Sequence, residues 1–446
     1  MMKPPHTTTP APIAFADALK FWFKLGLISF GGPAGQIAIM HQELVERRHW
    51  ISERRFLHAL NYCMLLPGPE AQQLATYLGW LMHRTWGGVI AGLLFILPSL
   101  VLLIALAAIY MLFGDTPALA AVLYGIKPAV TAIVIQAAHR IGSKTLKNPM
   151  FFTLALASFL AIFVLKIPFP LIVLAAALLG FLGQRMRPQD FNLVSAHSSN
   201  PQHCAPAIIG DDTPTPAHAT FRWSRLSVVL AVGVGLWLIP MGVLTALLGW
   251  QHTLTQMSWF FTTAALMTFG GAYAVLPYVY QGAVEHYGWL SPRQMMDGLA
   301  LGESTPGPLI MVVAFVAFVG GYQHAALGSD ALLMGGVVAA CLVTWFTFLP
   351  SFIFILAGAP LVESTHGNLN FTAPLTAITA AVVGVIVNLA LFFVYHTWWP
   401  QGWSAPVDLI AVGLTGLALL ALFYFKRSVM EVLAGSALLG GAFYLF

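Results

Sequence analysis

From residue 13 onward the chain is a succession of apolar runs parted by short polar turns, and the runs are of two kinds. The first kind is broken. Phe15 to Phe30 is apolar with Lys20 and Lys24 on it, and Gly31-Gly32 interrupts it. Pro33 can then open a new helix, because proline is tolerated at the first helical position. The new helix is amphipathic and ends in Glu43, Glu46, Arg47 and Arg48. Ser52-Glu53-Arg54-Arg55 opens a second unit, broken at Pro67-Gly68-Pro69 and running on to His83-Arg84. Neither unit reads as a clean span. Both predict helical hairpins or discontinuous helices, which survive in a bilayer only where protein or water satisfies the broken backbone. The second kind is continuous, with spans predicted at 86–113, 118–140, 150–166 and 168–184.

Residues 185–225 are the one long polar segment, a linker with five prolines and three histidines. The spacing of His197, His203 and His218 matches no metal-ligand pattern. A further span is predicted at 226–248. The two kinds of run then return in the same order: broken units near 256–286 and 293–322, and spans near 332–358, 373–395, 407–424 and 428–446.

The return is a duplication. Ser29-Phe30-Gly31-Gly32-Pro33 recurs 239 residues later as Thr268-Phe269-Gly270-Gly271-Ala272, and Pro67-Gly68-Pro69 recurs at that offset as Pro306-Gly307-Pro308. Gln42/Gln281, Glu46/Glu285, Trp50/Trp289, Ser52/Ser291 and Arg54/Arg293 coincide as well. A 13-residue insertion near Gly320–Asp330 shifts the offset to 252, after which Leu97-Pro98-Ser99 matches Leu349-Pro350-Ser351. The organisation expected is a first repeat at 1–184, a cytoplasmic linker at 185–225, a connecting helix at 226–248 and a second repeat at 249–446.

Composition fixes the solvent. Charged residues are 8% of the chain and hydrophobic residues 59%, against about 25% charged in a soluble domain. The fold class expected is an all-α polytopic membrane protein: nine full spans plus four broken or re-entrant units. The net charge of +4 gives no reason to expect nucleic acid as a partner. Cys63, Cys204 and Cys341 are too few for a disulfide framework or a metal site. No cleavable signal peptide is visible.

Charge placement predicts topology. Each repeat has an even number of crossings, so the extra span at 226–248 turns the second repeat over. With a cytoplasmic N-terminus and re-entrant broken units, Arg47, Arg48, Arg54, Arg55, Arg84, Arg140, Lys144, Lys147, Arg185, Arg187, Arg222, Arg225, Lys426 and Arg427 fall inside, while Lys166 and Arg293 fall outside. That is the positive-inside asymmetry. An inverted repeat is expected.

A helix broken by glycine and proline leaves unpaired N–H groups at the start of the next half-helix, and those groups with the helix dipole suit an anion. The candidate substrate-binding set is Ser29, Gly31, Gly32, Pro33, Gln36, Pro67, Gly68, Pro69, Gln72, Thr268, Gly270, Gly271, Ser304, Thr305 and Gly307, with Gln73 adding an amide. A tetrahedral oxyanion fits such a donor set. The competing reading is that the glycines allow close helix packing and the prolines kink the chain. Lys24 could be a counter-charge or could snorkel to the interface, and Lys127 has the same two readings. Glu70 and Glu303 are candidates for coupling substrate to protons, or partners of a helix dipole. The four arginines of the first copy set topology and are compatible with an electropositive vestibule. No nucleophile–base pair, Walker motif or metal cluster is present, so neither an enzyme nor direct ATP drive is expected, and no cofactor is called for. The partners expected are the lipid bilayer and the anion; a homodimer is left open.

Phe23-Lys24-Leu25-Gly26-Leu27-Ile28-Ser29-Phe30-Gly31-Gly32-Pro33, Trp50-Ile51-Ser52, and Leu66-Pro67-Gly68-Pro69 followed by Gln72-Gln73-Leu74-Ala75-Thr76-Tyr77-Leu78-Gly79 resemble the chromate ion transporter family in its long, two-domain form. The resemblance implies chromate efflux across the bacterial inner membrane, driven by an ion or potential gradient, with sulfate as structural analogue and chromate resistance as the result. The residues alone reach only an oxyanion transporter. Sulfate or another oxyanion is the alternative substrate, and a membrane-embedded enzyme or scaffold the alternative class. Ala272 in place of Pro33, and Met311 and Val312 in place of Gln72 and Gln73, predict unequal contributions from the two halves.

Overall fold

The computed structural model describes residues 13–30, 32–114, 116–186, 207–210, 213, 216, 218–269, 271–365 and 372–445. Most of the linker, with His197, His203 and Cys204, lies outside the described residues, as do Gly31 and Gly270.

The first half runs through α1 (Phe15–Ile28), α2 (Gly32–His41), a π-helical turn at Gln42–Arg47, α3 (Glu53–Leu65), α4 (Glu70–Phe113), α5 (Pro117–Thr145), α6 (Pro149–Phe163) and α7 (Phe169–Met186). After α8 (Trp223–Leu248) the same order returns. It comprises α9 (Thr253–Leu266), α10 (Ala272–Tyr280), a π-helical turn at Gln281–His286, α11 (Pro292–Ser304), α12 (Val312–Gln323), α13 (Leu332–Thr365), α14 (Thr372–Trp398), α15 (Leu409–Phe423) and α16 (Val429–Leu445). The likeness extends to local chemistry. Ser52 and Ser291 cap α3 and α11 by accepting from the N–H groups of Arg55 and Gln294. Trp50 N donates to Leu44 O and Trp289 N to Ala283 O, each at 2.8 Å, closing the two π-turns in the same way. Asn148 and Asp408, 260 residues apart, cap α6 and α15. The longer α14–α15 connection moves the register from 252 to 260.

α4 is two arms rather than one rod. His83 and Arg84 have non-helical backbone, with Arg84 at φ 59°. A Cβ on Gly92 would overlap the Thr76 hydroxyl, and one on Gly79 would overlap Ala91. Thr76 and Gly92 would stand about 24 Å apart in a straight helix. The chain therefore reverses at His83–Arg84, and residues 70–82 lie back along 85–113. α12 and α13 are the same pair in the second half, packed together with a separate turn between them.

The start of the chain returns to that reversal: His83 bonds Ile13 O at 2.9 Å. Ser52 N donates to Ile209 O, Arg55 to Thr213 O at 2.6 Å, and His218 meets Trp80 O. Arg55 also faces Glu363, near the end of α13, at 3.9 Å. One end of the molecule thus gathers residues 13, 49–55, 80–84, 208–210, 213, 218 and 363. The opposite end holds the other tips of α4 and α13, where His324 meets Gly288 O and Tyr110 donates to Asp297.

α5 packs on α14, α15 and α16, and α14 packs on α6 and α7, so six helices interleave the two halves in one bundle. Glycine allows the closest crossings: Gly125 against Ser436 O and Gly440, and Gly384 against Ala155 O. α8 rests on α9 and α13 with its other faces exposed, as lipid contact requires.

Among the described residues five helices are long and apolar enough to cross a membrane, where nine spans were expected. The shortfall is α6, α7, α15 and α16. At 15 to 18 residues they reach about 22–27 Å, less than a hydrocarbon core of about 30 Å. Each pair is joined by a tight turn at the boundary expected from sequence, with Lys166 and Lys426 at φ 54° and 50°.

Candidate functional site

The four helix breaks meet in crossed pairs. Gly307 N donates to Ser29 O and Gly68 N donates to Thr268 O, both at 2.8 Å. The Gly-Gly break of each half is therefore tied to the Pro-Gly-Pro break of the other. Gln36 adds to the first junction, its amide donating to Gly307 O at 2.5 Å and to Ser29 O at 3.3 Å. In the second, Gln73 donates to Pro67 O at 2.7 Å and reaches Ser351.

These turns demand glycine. Gly32, Gly68, Gly271 and Gly307 have φ of 72°, 125°, 96° and 104°, values that L side chains rarely adopt. A Cβ on Gly68 would also overlap the Ser351 hydroxyl, and one on Gly307 would sit 2.7 Å from Ser99 Cβ. Ser99 and Ser351 are thus lining residues, each facing the break of the opposite half. Their recurrence in the Leu-Pro-Ser repeat was the signal in the sequence, but nothing there showed what they face.

Helices start immediately after the breaks, at Gly32, Glu70, Ala272 and, as a 3₁₀ turn, Leu309. Each start presents N–H groups with no partner in its own helix. The nearby hydroxyls point elsewhere. Ser29 donates to Leu25 O, Thr268 to Ala264 O, Ser304 to Leu301 O and Thr305 to Gly302 O, at 2.6–2.9 Å. They were expected as donors to substrate; here their protons are held by their own helices, and backbone N–H groups are the donors the breaks retain. Gln72 likewise donates to Thr76, at 2.9 Å. The side-chain oxygens of Gln36, Gln72 and Gln73 are buried without a hydrogen-bond partner.

The candidate charges separate. Lys24 is exposed on the face of α1 that also carries Phe23, Leu27 and Ile28, which is the snorkelling alternative. Lys127 is half-buried, with its ammonium 3.1 Å from the buried Asp297, whose other oxygen accepts from Tyr110 at 2.9 Å. Glu303 is buried and accepts from Tyr273 at 2.5 Å. Both line a cavity of about 10 Å³ with Gln136 and Arg140 of α5, room for no more than one water. Glu70, half-buried, begins α4 at the dipole end. Asp297, Tyr110 and Tyr273 were not singled out from sequence. An aspartate among the apolar residues Met295, Met296 and Leu299 of an amphipathic helix was the available sign.

An open cleft of about 550 Å³ runs between α2 and α3, lined by Ala34, Ile37, His41, Glu46, Glu53 and Leu57 among others. It reaches from the charged hairpin tip to Ala34, two residues beyond Gly32. The tip is not the electropositive vestibule that the arginines suggested. Arg47 and Arg48 pair with Glu43, Arg48 also covers the Phe21 and Trp50 rings, and His41 bridges Glu46 and Glu53 at 3.1 and 2.5 Å.

A sequence model described as the chromate transporter matches the chain twice, at residues 16–181 and 255–441. A chromate transport protein of Pseudomonas aeruginosa is 31% identical over 97% of this chain and 93% of its own length. One of Cupriavidus metallidurans is 28% identical over 98% and 97%, and a probable chromate transport protein of Synechococcus elongatus is 28% identical over 83% and 82%. No solved structure matches.

Proposed function

The chain belongs to the chromate transporter family, and from that membership we propose that it is a secondary active transporter exporting chromate across the bacterial inner membrane, so conferring chromate resistance. The observation that carries this reading is the crossed tie between Ser29 and Gly307 and between Thr268 and Gly68, which joins the four half-helix starts in two pairs, each with one start from either half. An oxyanion there accepts from backbone N–H groups around Gly32, Glu70, Gly271 and Leu309, with the positive ends of the half-helices toward it. Pro33, Pro67 and Pro69 hold the turns, Gln36 and Gln72 orient the first-half starts, and the glycines let the anion approach the main chain. Gly31 and Gly270, outside the described residues, join the set by sequence alone. Carrying a dianion outward is favoured by an inside-negative potential, and Glu70 and Glu303 are the carboxylates placed to exchange protons with the site.

The halves are related as an inverted repeat, with the Arg47–Arg55 end cytoplasmic. Support comes from the gathering of residues 49–55, 84, 208–210, 213 and 363 at one end, where Arg47, Arg48, Arg54 and Arg84 also stand. Reporter fusions after residue 50 and after residue 289 are expected on opposite faces of the membrane; the same face for both removes the inversion. Energised everted vesicles should accumulate labelled chromate saturably, with loss on adding an uncoupler or excess sulfate. Vesicles holding folded protein but taking up no more than empty ones would exclude chromate as substrate.

A further inference from the structure

The same hairpin stands in two settings. In the second half α10 and α11 pack against the six-helix bundle, on α5, α7, α14 and α16. The Tyr280 ring packs tilted against Phe392, centroids 4.2 Å apart, and Gln281 accepts from the Phe169 N–H. Leu276, Met296 and Leu299 are at most 2% exposed. Their equivalents at the 239 offset, Ile37, Leu57 and Leu60, line the open cleft instead. The bundle therefore closes one side of the crossed breaks and leaves the other open.

Two charged contacts join the bundle to the closed side, and both use α5. Lys127 pairs with Asp297 of α11, steadied by Tyr110 of α4. Arg140 and Gln136 share a cavity with Glu303 and Tyr273. Neither exists in the other half. The equivalents of Lys127, Asp297 and Tyr110 are Thr379, His58 and Val362, and those of Arg140, Glu303 and Tyr273 are Phe392, Met64 and Ala34.

We propose that Lys127 and Asp297 are the latch of a gate: while they are paired the bundle seals the α10–α11 side, and when they part it swings to cover the α2–α3 cleft. Removing Lys127 leaves the buried Asp297 carboxylate uncompensated in the closed state, whereas the mirror-image closed state contains no such pair to lose. The latch thus biases the resting protein toward the cleft-open form. With the proposed orientation, that form loads from the cytoplasm, as an exporter must. The assignment of sides rests on the proposed function; the latch does not.

The test uses purified full-length protein with Cys63, Cys204 and Cys341 replaced by serine or alanine, and one reporter, Leu57→Cys or Met296→Cys, labelled with a membrane-impermeant maleimide. In the parent, Leu57→Cys is expected to react and Met296→Cys to be protected. Lys127→Ala or Asp297→Asn should speed labelling at Met296→Cys by about tenfold or more and slow it at Leu57→Cys. Exchanging the charges, Lys127→Asp with Asp297→Lys, should restore protection. Tyr110→Phe, which keeps the ion pair, should give a smaller change in the same direction and serves if the charge variants do not fold. Unchanged protection in these variants overturns the latch. So does faster labelling at both reporters, the signature of a loosened fold. Because no chromate is used, failure of the vesicle assay and failure here are separate results.

Discussion

The α2–α3 and α10–α11 hairpins descend from one sequence and keep one backbone, down to the π-turns at Gln42–Arg47 and Gln281–His286, yet one borders water and the other is packed. Ala34, in the first turn after the first break, is exposed; its equivalent Tyr273 is 6% exposed and bonded to Glu303. Met64 is 52% exposed where Glu303 is buried. The lesson is that the repeat preserves the frame and divides the labour. The first half keeps the glutamines and the accessible break, and the second half keeps the buried carboxylates and the contacts that shut its side.

The shared frame can be broken most severely at the crossed glycines. Gly68→Ala and Gly307→Ala each force a left-handed backbone on an L residue, at about 1–2 kcal/mol, and drive a methyl into Ser351 or Ser99, at about 1–3 kcal/mol more. Both are expected to abolish vesicle transport and lower the melting temperature in detergent, whereas Gly235→Ala, with open space around its Cβ, leaves both unchanged. Equal behaviour of all three would mean that the junction has no special role.

The division of labour is sharpened by Glu303→Gln, which keeps shape and removes the carboxylate. Insertion should be normal and uncoupler-sensitive accumulation lost, while Met64→Gln at the equivalent position has a lesser effect. A transporter still sensitive to the uncoupler after Glu303→Gln would take the coupling role from that residue.

The smallest effect is expected at Gln36. Gln36→Ala removes two hydrogen bonds across the junction, at about 1 kcal/mol each, and should weaken transport by about tenfold. Val275→Ala at the matching place, where no such bond exists, should change it little, as tested by parallel uptake curves.

Much of this frame is legible in the sequence because its causes are local. Apolar runs show membrane segments, and the recurrence of Gly-Gly and Pro-Gly-Pro at one offset shows both the duplication and the breaks. The short helices α6, α7, α15 and α16 were placed to within a few residues and differ only in reach, because at 15 to 18 residues each falls short of a full crossing. Where the hydroxyls of Ser29, Thr268, Ser304 and Thr305 point was not legible, because a side chain next to a break can bond back to its own helix, and only geometry tells that it does so here.

What the sequence determined by itself is the solvent, the twofold repetition and the places where helices stop, since hydrophobicity and the φ limits of glycine and proline act within a few residues. What tertiary structure alone decided is which breaks meet, that Ser99 and Ser351 face the opposite half, and that Lys127 finds Asp297 across 170 positions of chain. Those depend on helices folding back and interleaving. Equal halves left unequally packed are a property of the whole bundle, written at no single position.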